Sequence, residues 1–300
     1  MLTIGSRGSQ LALWQAHWIQ ARIQSFGVET RLQIIHTTGD KITDVALSKV
    51  GTKGLFTKEI EEALLNSTID LAVHSLKDMP TDLPDGLTLS AIPEREDPRD
   101  ALIGRSLRTL AQGARVGTSS LRRAAQLRAI RPDLQIENIR GNLDTRLRKL
   151  DEGQYHAIVL ASAGLRRLGW ENRITELLDP EIMCPAVGQG ALAVETRDDG
   201  GEAQQLAKRL EHQASRIAVT AERAVLASLG GGCQVPIGAY ATVAAELHLR
   251  AIIVSPDGTQ IIRKQATGPA TSAAAMGRTL RDQLLAEGGR EILELVYGHQ

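Results

Sequence analysis

Hydrophobic positions along the chain follow two alternating periods. Short apolar runs such as Leu2–Gly5 and Ala157–Leu160 predict buried β-strands. Between such runs, apolar residues three or four positions apart predict amphipathic helices, one beginning after the N-cap residue type Ser9 and one from Leu121. Through the first two thirds of the chain this alternation indicates an α/β architecture with largely parallel sheets.

The pattern changes after Gln213. A helix is predicted from there to Leu229, and the segment Pro256-Asp257-Gly258 has the composition of a hairpin turn. The stretches around that turn predict a small antiparallel sheet. Its three strands are predicted at Ala239–Ala245, Glu246–Val254 and Thr259–Thr267. Together with a final helical region they predict a separate α+β domain.

Two polar segments interrupt the alternation. Residues Pro93–Asp100 are charged, contain two prolines and lack apolar periodicity, and Cys184–Gly190 is a second irregular segment. Both are typical of places where a chain crosses between domains. We therefore predict three domains: residues 1–94 with 189–210, residues 95–188, and residues 211–300.

Composition narrows the class of protein. The 300 residues carry no net charge and contain no apolar run near the roughly 18 residues of a membrane span. No basic segment followed by an apolar stretch opens the chain, so a cytoplasmic protein without a membrane partner is expected. Two cysteines cannot build a disulfide framework, and the seven histidines lack paired ligand spacing. We expect no metal site.

Arginine dominates the basic residues, and it is concentrated in the middle of the chain. Of 35 basic residues 27 are Arg, and 15 of these lie between Arg95 and Arg173 with one Lys and nine acidic residues. Arginine pairs with carboxylate or phosphate through two parallel hydrogen bonds. A nucleic-acid site would favour a net basic chain with interleaved aromatic residues, which are absent. An anionic small molecule and a mere compositional bias remain open at this point.

Several of these arginines follow predicted strands. Arg7 follows the first strand, and Arg140 and Arg167 follow later ones. The segment Gly117–Arg123 places glycine, hydroxyl residues and two arginines at a helix start, where free N–H groups and the helix dipole bind anions. In doubly wound sheets the carboxyl ends of strands converge on one cleft. The pattern therefore predicts a cleft suited to a polycarboxylate.

Two further residues carry candidate chemistry. Asp78 follows a strand end within this cationic set, as either a structural counter-ion or a catalytic carboxylate. Cys233 follows three glycines, which favours an accessible thiol, either a nucleophile or an attachment point. Cys184, beside Met183 and Pro185, is interpreted as a packing residue.

The motifs taken together closely resemble the porphobilinogen deaminase, or hydroxymethylbilane synthase, family over nearly the whole chain. The block Gly231–Gly238, with its single cysteine, is highly specific. Ser6, Gly8 and Ala193 depart slightly from the family pattern at neighbours of the expected functional residues. The other matching blocks are Ser6–Ala12, Gly51–Glu59, Val73–Pro80, Gly117–Arg123, Arg140–Asn142 and Pro185–Leu192.

The resemblance implies two periplasmic-binding-protein-like α/β domains and a C-terminal α+β domain with a three-stranded antiparallel sheet. It implies a dipyrromethane cofactor bound by a thioether to Cys233. Four molecules of porphobilinogen would be condensed head to tail onto this primer with loss of ammonia, and hydrolysis would release the linear tetrapyrrole. The family also favours a monomer.

The resemblance also assigns site residues. Asp78 is expected to be the catalytic carboxylate, stabilising the azafulvenium cation formed when ammonia leaves. The residues expected around the cofactor and substrate carboxylates are Arg7, Ser9, Lys53, Lys77, Thr118, Ser120, Arg122, Arg123, Arg140, Arg146, Arg167 and Gln189.

Two other classes of protein fit part of the pattern. A non-catalytic receptor for an anionic small molecule would explain the arginines, but not Cys233 in its glycine loop or Asp78 in a cationic cleft. A nucleotide-dependent oxidoreductase would rest on Gly188-x-Gly190-x-x-Ala193, which lacks a clean strand before it.

Overall fold

A computed structural model describes residues 1–41, 54–227, 229 and 235–297. Lys53 and Cys233 lie outside the described residues. The chain divides into two compact units, Met1–Glu96 with Ala191–Arg216 and Asp97–Gly190 with Ile217–Gln300. The three-domain division stays a prediction.

The first unit is built on a five-stranded sheet in the order β2-β1-β3-β10-β4. Helices pack on both faces of the sheet, and the neighbouring residues Ala72 and Val73 of β3 belong to different core clusters. The strands are β1 (Leu2–Ser6), β2 (Thr30–Ile34), β3 (Leu71–Ser75), β4 (Leu87–Ala91) and β10 (Leu192–Arg197). The helices that lie in this unit are α1 (Gln10–Gln24), α2 (Thr38–Lys41), α3 (Lys58–Leu65) and α7 (Glu202–Lys208).

Helix α1 shows how local sequence determines an element here. The Ser9 side chain accepts a hydrogen bond from the Ala12 amide at 3.3 Å, which satisfies one free donor of the first turn. Ile19 and Ile23, four residues apart on one face, are fully buried against the Ile4 strand. The predicted helix from Ser9 is thus confirmed.

The second unit begins with another five-stranded sheet, ordered β7-β6-β8-β5-β9. Neighbouring residues Ile158 and Val159 belong to core clusters on opposite faces, so both faces are covered. The strands are β5 (Asp100–Ile103), β6 (Arg115–Gly117), β7 (Gln135–Glu137), β8 (Ala157–Ala161) and β9 (Glu176–Leu177). The helices are α4 (Leu121–Ile130), α5 (Leu143–Asp151) and α6 (Ser162–Arg167).

Both large sheets are mixed, and the expectation of largely parallel sheets is wrong. Strand β1 pairs in parallel with β2 and β3, whereas β10 pairs antiparallel with β3 and β4. Strand β5 likewise runs antiparallel to β8 and β9. A short apolar run predicts a strand but not its direction, which is determined by the path of the connecting chain.

The predicted antiparallel sheet forms in the second unit. It has the order β11-β12-β13, and its apolar face packs against helices α8 and α9. The strands are β11 (Ile237–Val243), β12 (Leu247–Val254) and β13 (Ile261–Gly268). The helices are α8 (Gln213–Leu226), which begins in the first unit, α9 (Ala273–Leu284) and α10 (Arg290–Tyr297). No described helix combines the length and apolar character needed to cross a membrane.

The predicted crossing at Pro93–Asp100 is wrong in one detail, the position of Asp100. The boundary between the units falls at Glu96, but Asp100 is not part of an exposed connection. It opens strand β5 and is completely buried. A buried charge needs a partner of opposite sign, and the second unit supplies two.

Candidate active site

Asp78 lies in a pocket of the first unit. It ends the single 3₁₀ turn Leu76–Asp78 directly after β3, and both it and Lys77 are half-buried. The pocket encloses about 440 Å³ including space open to solvent. Its polar lining comes from β1 and β3 ends and from α1: Arg7, Ser9, Gln15, Thr57, His74, Ser75 and Asp78. Arg7, which the sequence places just after a strand end, thus lines the same pocket as Asp78.

Arg7 is held by an acidic partner within the same unit. Its Nε donates to Asp40 Oδ1 at 3.1 Å, its Nη2 also donates to that carboxylate, and its guanidinium lies 4.3 Å from the centre of the Phe56 ring. Burial alone would raise the pKa of Asp40, but hydrogen bonds and charge from Arg7, helped by Thr37, hold it below its ordinary value. Arg7 is therefore fixed at the pocket wall as part of an ion pair.

Arg122 and Arg123 share one buried carboxylate in the second unit. Arg122 Nη1 donates to Asp100 Oδ2 at 2.7 Å, and Arg123 Nε donates to Asp100 Oδ1 at 2.9 Å. Both arginines are more than nine-tenths buried. Burial would raise the pKa of Asp100, but the two guanidinium charges hold it well below its usual range. This arrangement carries one net positive charge.

Gln189 and Arg167 tie the Gly188–Gly190 turn to the same network. Gln189 Nε2 donates to Asp100 Oδ1 at 2.9 Å and to the Pro98 carbonyl at 2.6 Å. Arg167 Nη2 donates to the Gly190 carbonyl at 2.7 Å. The turn needs glycine because both Gly188 and Gly190 have positive φ. The turn thus contributes to a charged network rather than to a dinucleotide site.

Thr118 and Ser120 organise the start of α4. The Ser120 amide donates to Thr118 Oγ1 at 3.2 Å, and Ser120 Oγ accepts from the Arg123 amide at 3.4 Å. Ser120 is the N-cap of α4, so the positive end of the helix dipole faces the preceding loop.

Arg140 and Arg146 form a cationic cluster without a counter-ion. No carboxylate in the described ranges pairs with either side chain, and buried Arg140 Nη2 has no hydrogen-bond partner there. Arg146 Nε donates to the Gly141 carbonyl at 2.8 Å. Burial, and then the charges of Arg123 and Arg140, lower the pKa of Arg146 to about 10. Such a cluster is stabilised by anions.

The structure thus gathers the predicted residues into two groups. The first unit holds Arg7, Ser9, Lys77 and Asp78 at its strand ends. The second unit holds Thr118, Ser120, Arg122, Arg123, Arg140, Arg146, Arg167 and Gln189. Lys53 and Cys233 fall among the residues not described. The described residues contain no cluster of three side chains suited to a metal ion.

Sequence reasoning missed Asp100. It was placed inside a charged crossing, whereas it neutralises one of the two helix-start arginines. The signal that could have found it is the unfavourable position of Arg122 and Arg123 at a helix N-terminus, which calls for a nearby acid.

Comparisons with known proteins decide the family. A model described as "Porphobilinogen deaminase, dipyromethane cofactor binding domain" matches residues 2–205, and one described as "Porphobilinogen deaminase, C-terminal domain" matches residues 216–286. The chain belongs to the porphobilinogen deaminase family. Its activity is therefore that of porphobilinogen deaminase, the hydroxymethylbilane synthase of tetrapyrrole biosynthesis, and it contains the dipyrromethane-binding domain.

Curated relatives agree over their full length. Porphobilinogen deaminase from Syntrophobacter fumaroxidans is 51% identical, covering 99% of this chain and 98% of the relative. The porphobilinogen deaminase of a Roseiflexus species is 53% identical, with 97% and 98% covered, and that of Geobacter sulfurreducens is 50% identical, with 99% and 95% covered.

The solved structures that match this chain are distant from it in sequence. An ABC transporter periplasmic substrate-binding protein from Coxiella burnetii is 12% identical at a TM-score of 0.44, covering 70% of this chain and 92% of that one. A nutrient-binding protein from Burkholderia cenocepacia bound to methionine is 12% identical at a TM-score of 0.43, with 70% and 91% covered.

The residues of the second unit fit the cofactor of porphobilinogen deaminase. Each pyrrole of dipyrromethane carries an acetate and a propionate, so the group is a polycarboxylate. Arg140 offers a buried donor without a partner, and Arg146 is surrounded by like charge. Carboxylates would satisfy both conditions through charge-assisted hydrogen bonds.

Proposed function

We propose that Asp78 is the catalytic carboxylate of the porphobilinogen deaminase reaction and that the arginine cluster of the second unit binds the cofactor and substrate carboxylates. The observation that carries the proposal is the cluster of Arg140 and Arg146, which has buried cationic donors and no acid among the described residues. A protein that bound no anion would gain nothing from this arrangement.

Asp78 has the surroundings that its role requires. Loss of ammonia from the aminomethyl group of porphobilinogen leaves a cationic pyrrole, and a carboxylate stabilises such a cation in a pocket partly shielded from water. The 3₁₀ turn presents Asp78 to the pocket from the end of a buried strand, so its backbone position is rigid. The same carboxylate accepts the proton that leaves the pyrrole carbon during condensation.

The arginines of the second unit fall into two groups that differ in whether an acidic side chain pairs with them. Arg122 and Arg123 are anchored by Asp100, with Arg122 Nε buried and without a partner in the described chain. Arg140 and Arg146 pair with no acid in the described ranges and would pair with incoming carboxylates. The remaining residues that we assign to binding are Arg7, Ser9, Lys53, Lys77, Thr118, Ser120, Arg167 and Gln189.

We assign Cys233 as the attachment point of the cofactor through a thioether bond. When bound, dipyrromethane supplies the free pyrrole position to which porphobilinogen units are added. Asp78 and the arginines then act on each unit in turn, four in all, before hydrolysis releases the linear tetrapyrrole.

The attachment is tested by intact mass spectrometry of the purified protein and of Cys233→Ser. The wild type should exceed its chain mass by two porphobilinogens less two ammonias, and the variant should not. Cys184→Ser is the matched control and should keep the added mass, because Cys184 is buried and its pKa is raised to about 12. An unmodified wild type after incubation with porphobilinogen would overturn the proposal.

The role of Asp78 is tested by Asp78→Asn. The variant should retain the added mass but lose turnover by roughly 100-fold or more, because the amide neither stabilises a cation nor accepts a proton. Asp82→Asn, four residues away and exposed, should behave as wild type. Near-normal turnover in Asp78→Asn would refute the assignment.

We further propose that the enzyme acts as a cytoplasmic monomer, in keeping with the small polar molecule that the family uses as substrate. Light scattering after size exclusion should give a mass near 32.4 kDa. A dimer mass at micromolar concentration would contradict this part of the proposal.

A further inference from the structure

Three ionisable side chains of the first unit are buried and take no part in the function proposed above. His74 is 5% exposed, Glu195 is fully buried and Glu61 is 7% exposed. Charged side chains are rarely buried to this degree without a specific purpose or partner. Of the three, His74 itself lines the pocket together with Asp78.

Strand pairing brings the group together. His74 of β3 lies opposite Ala193 of β10, and Glu195 is two residues further along β10, so both side chains share one face of the sheet. Their atoms Nε2 and Oε2 are 3.0 Å apart. Helix α3 packs on the same sheet and buries Glu61 in its first turn.

The hydrogen bond to Glu195 determines which ring nitrogen of His74 is available. An ionised Glu195 can only accept, so in this state Nε2 carries the proton and Nδ1 is the unprotonated ring nitrogen. This is the arrangement in which a buried carboxylate orients an imidazole as a base. The pocket is also lined by Asp78 and Arg7, and Arg7 is paired with Asp40.

Glu61 sets the charge behind this pair. Burial raises the pKa of Glu61; the Thr57 hydroxyl partly offsets this, and the negative charge of Glu195 adds to it. Neighbouring charges acting on Glu61 are His74 and Glu62. One carboxylate oxygen of Glu61 and one of Glu195 are buried without a hydrogen-bond partner in the described structure.

We propose that His74, oriented by Glu195, is a proton-relay residue that acts through Asp78. The proposal rests on the proposed role of Asp78. Both residues line one pocket, so the proposed transfer takes place within that pocket. His74 is thus a positioning and relay group for the known reaction rather than a second primary catalyst.

The proton balance of the reaction supplies the need for a relay. Each condensation forms one carbon–carbon bond, breaks the carbon–nitrogen bond that releases ammonia, and breaks one pyrrole carbon–hydrogen bond. The proton from carbon passes to Asp78, then to Nδ1 of His74, and leaves the pocket with ammonia as ammonium. Asp78 is thereby returned to its ionised form before the next of four cycles.

The test compares Glu195→Gln and His74→Gln with wild type. Glu195→Gln keeps an acceptor for Nε2 but removes the charge, so kcat should fall roughly tenfold or more with the KM for porphobilinogen unchanged. The acid limb of its kcat profile should move to lower pH, because the imidazolium loses its anionic partner. His74→Gln should lower kcat by roughly 100-fold. A purely structural pair would give a change in thermal stability without a displaced pH profile.

Nitrogen NMR of the histidine side chains gives a readout that does not depend on activity. One set of imidazole nitrogen signals in wild type should disappear in His74→Gln and so belong to His74. This set should show a protonated Nε2 and an unprotonated Nδ1. Exposed His248→Gln and Glu202→Gln serve as controls and should leave both the profile and these signals unchanged. A neutral ring protonated at Nδ1 would overturn the proposal.

Two outcomes separate this inference from the proposed function. If Asp78→Asn loses turnover while His74→Gln and Glu195→Gln keep the wild-type kcat and pH profile, the relay is wrong and the role of Asp78 stands. If Asp78→Asn keeps its turnover, the proposed role of Asp78 and the relay through His74 are both wrong.

Discussion

Asp100 is the residue on which the arginine network of the second unit depends. Its carboxylate is completely buried and pairs with two guanidinium groups that are themselves buried. Breaking a buried pair by removing one partner leaves uncompensated charge in a medium of low polarity. Asp100 is thus a structural counter-ion, and it also leaves one positive charge for ligand.

Replacing Asp100 by Asn should therefore lower the free energy of unfolding by about 3–5 kcal/mol, as measured by urea titration. Asn has nearly the same size as Asp, so the loss of stability measures the effect of removing the negative charge. Asp151→Asn, which removes an exposed partner of Arg173, is the control and should cost far less. Equal losses in the two variants would show that Asp100 does not neutralise the arginines.

Replacing Arg146 should stabilise the protein rather than destabilise it, because this side chain lies among like charges. Arg146→Met removes that repulsion and should raise the thermal midpoint by roughly 2 °C. It should also raise the KM for porphobilinogen by about tenfold, since a carboxylate loses a charged donor. Arg148→Met on the exposed face of α5 should change neither quantity. A destabilised Arg146→Met with unchanged KM would contradict a binding role.

At the scale of elements, the hairpin between β12 and β13 supports the arginine-bearing helix. Gly258 in the turn has φ of +79°, and a Cβ there would lie 2.6 Å from the Ala129 amide and 2.8 Å from the Ala125 carbonyl. Arg128 Nη1 donates to the Pro256 carbonyl at 2.7 Å. The turn therefore contacts α4 at backbone level, and α4 carries Arg122 and Arg123.

Gly258→Ala should lower the free energy of unfolding by about 1–3 kcal/mol through this backbone clash, in addition to the strain of a left-handed residue. Gly113→Ala has a similar φ of +73° with nothing near its Cβ, so it measures the strain alone. The free energies of unfolding of the two variants are measured by chemical denaturation. The difference between their losses is the cost of the clash between the hairpin and α4. Identical losses would show that the hairpin does not press on α4.

The sequence predicted the elements that local pattern determines. Ser9 caps α1, Leu121 opens α4, and the three strands of the small sheet lie within a few residues of their predicted positions. Strand β10 was missed, since its place between β3 and β4 depends on pairing with residues more than 100 positions away. Periodicity contains no information on such partners.

The position of residues at strand ends could be predicted, but their charge partners could not. Arg7 and Asp78 both follow strands and both line the pocket of the first unit, as expected where strand ends converge. Which arginines already have an acid could not be predicted. Arg7 meets Asp40 and Arg123 meets Asp100 through contacts 33 and 23 positions apart, and only the folded chain selects them.

For the whole molecule, carboxylates paired with arginine contribute to the response of stability to acid, and Asp40, Asp97 and Asp100 are among them. The pKa values of Asp40, Asp97 and Asp100 lie below the ordinary 3.8: burial opposes this shift in each, but arginine partners outweigh it. A depressed folded-state pKa contributes stability above the unfolded value, and that contribution is lost as the pH falls. The protein should therefore lose stability steadily below pH 3.8.

The measurement is the free energy of unfolding as a function of pH in wild type and in Asp97→Asn. The variant should be less stable near neutral pH and should show a shallower fall in acid, because one proton-linked group is gone. Asp282→Asn, at an exposed position, should reproduce the wild-type slope. An unchanged slope in Asp97→Asn would show that its ion pairs with Arg99 and Arg166 do not persist in solution.

The place of β10 between β3 and β4 has a consequence for synthesis on the ribosome. Until residues 192–197 have emerged, β3 and β4 each lack a neighbour, and the nascent chain exposes two unpaired strand edges. His74 also waits for Glu195, so its buried partner arrives 121 residues after it. The first unit thus cannot close until most of the second has been translated, and a ribosome-bound chain ending at residue 190 should be an aggregation-prone client for chaperones.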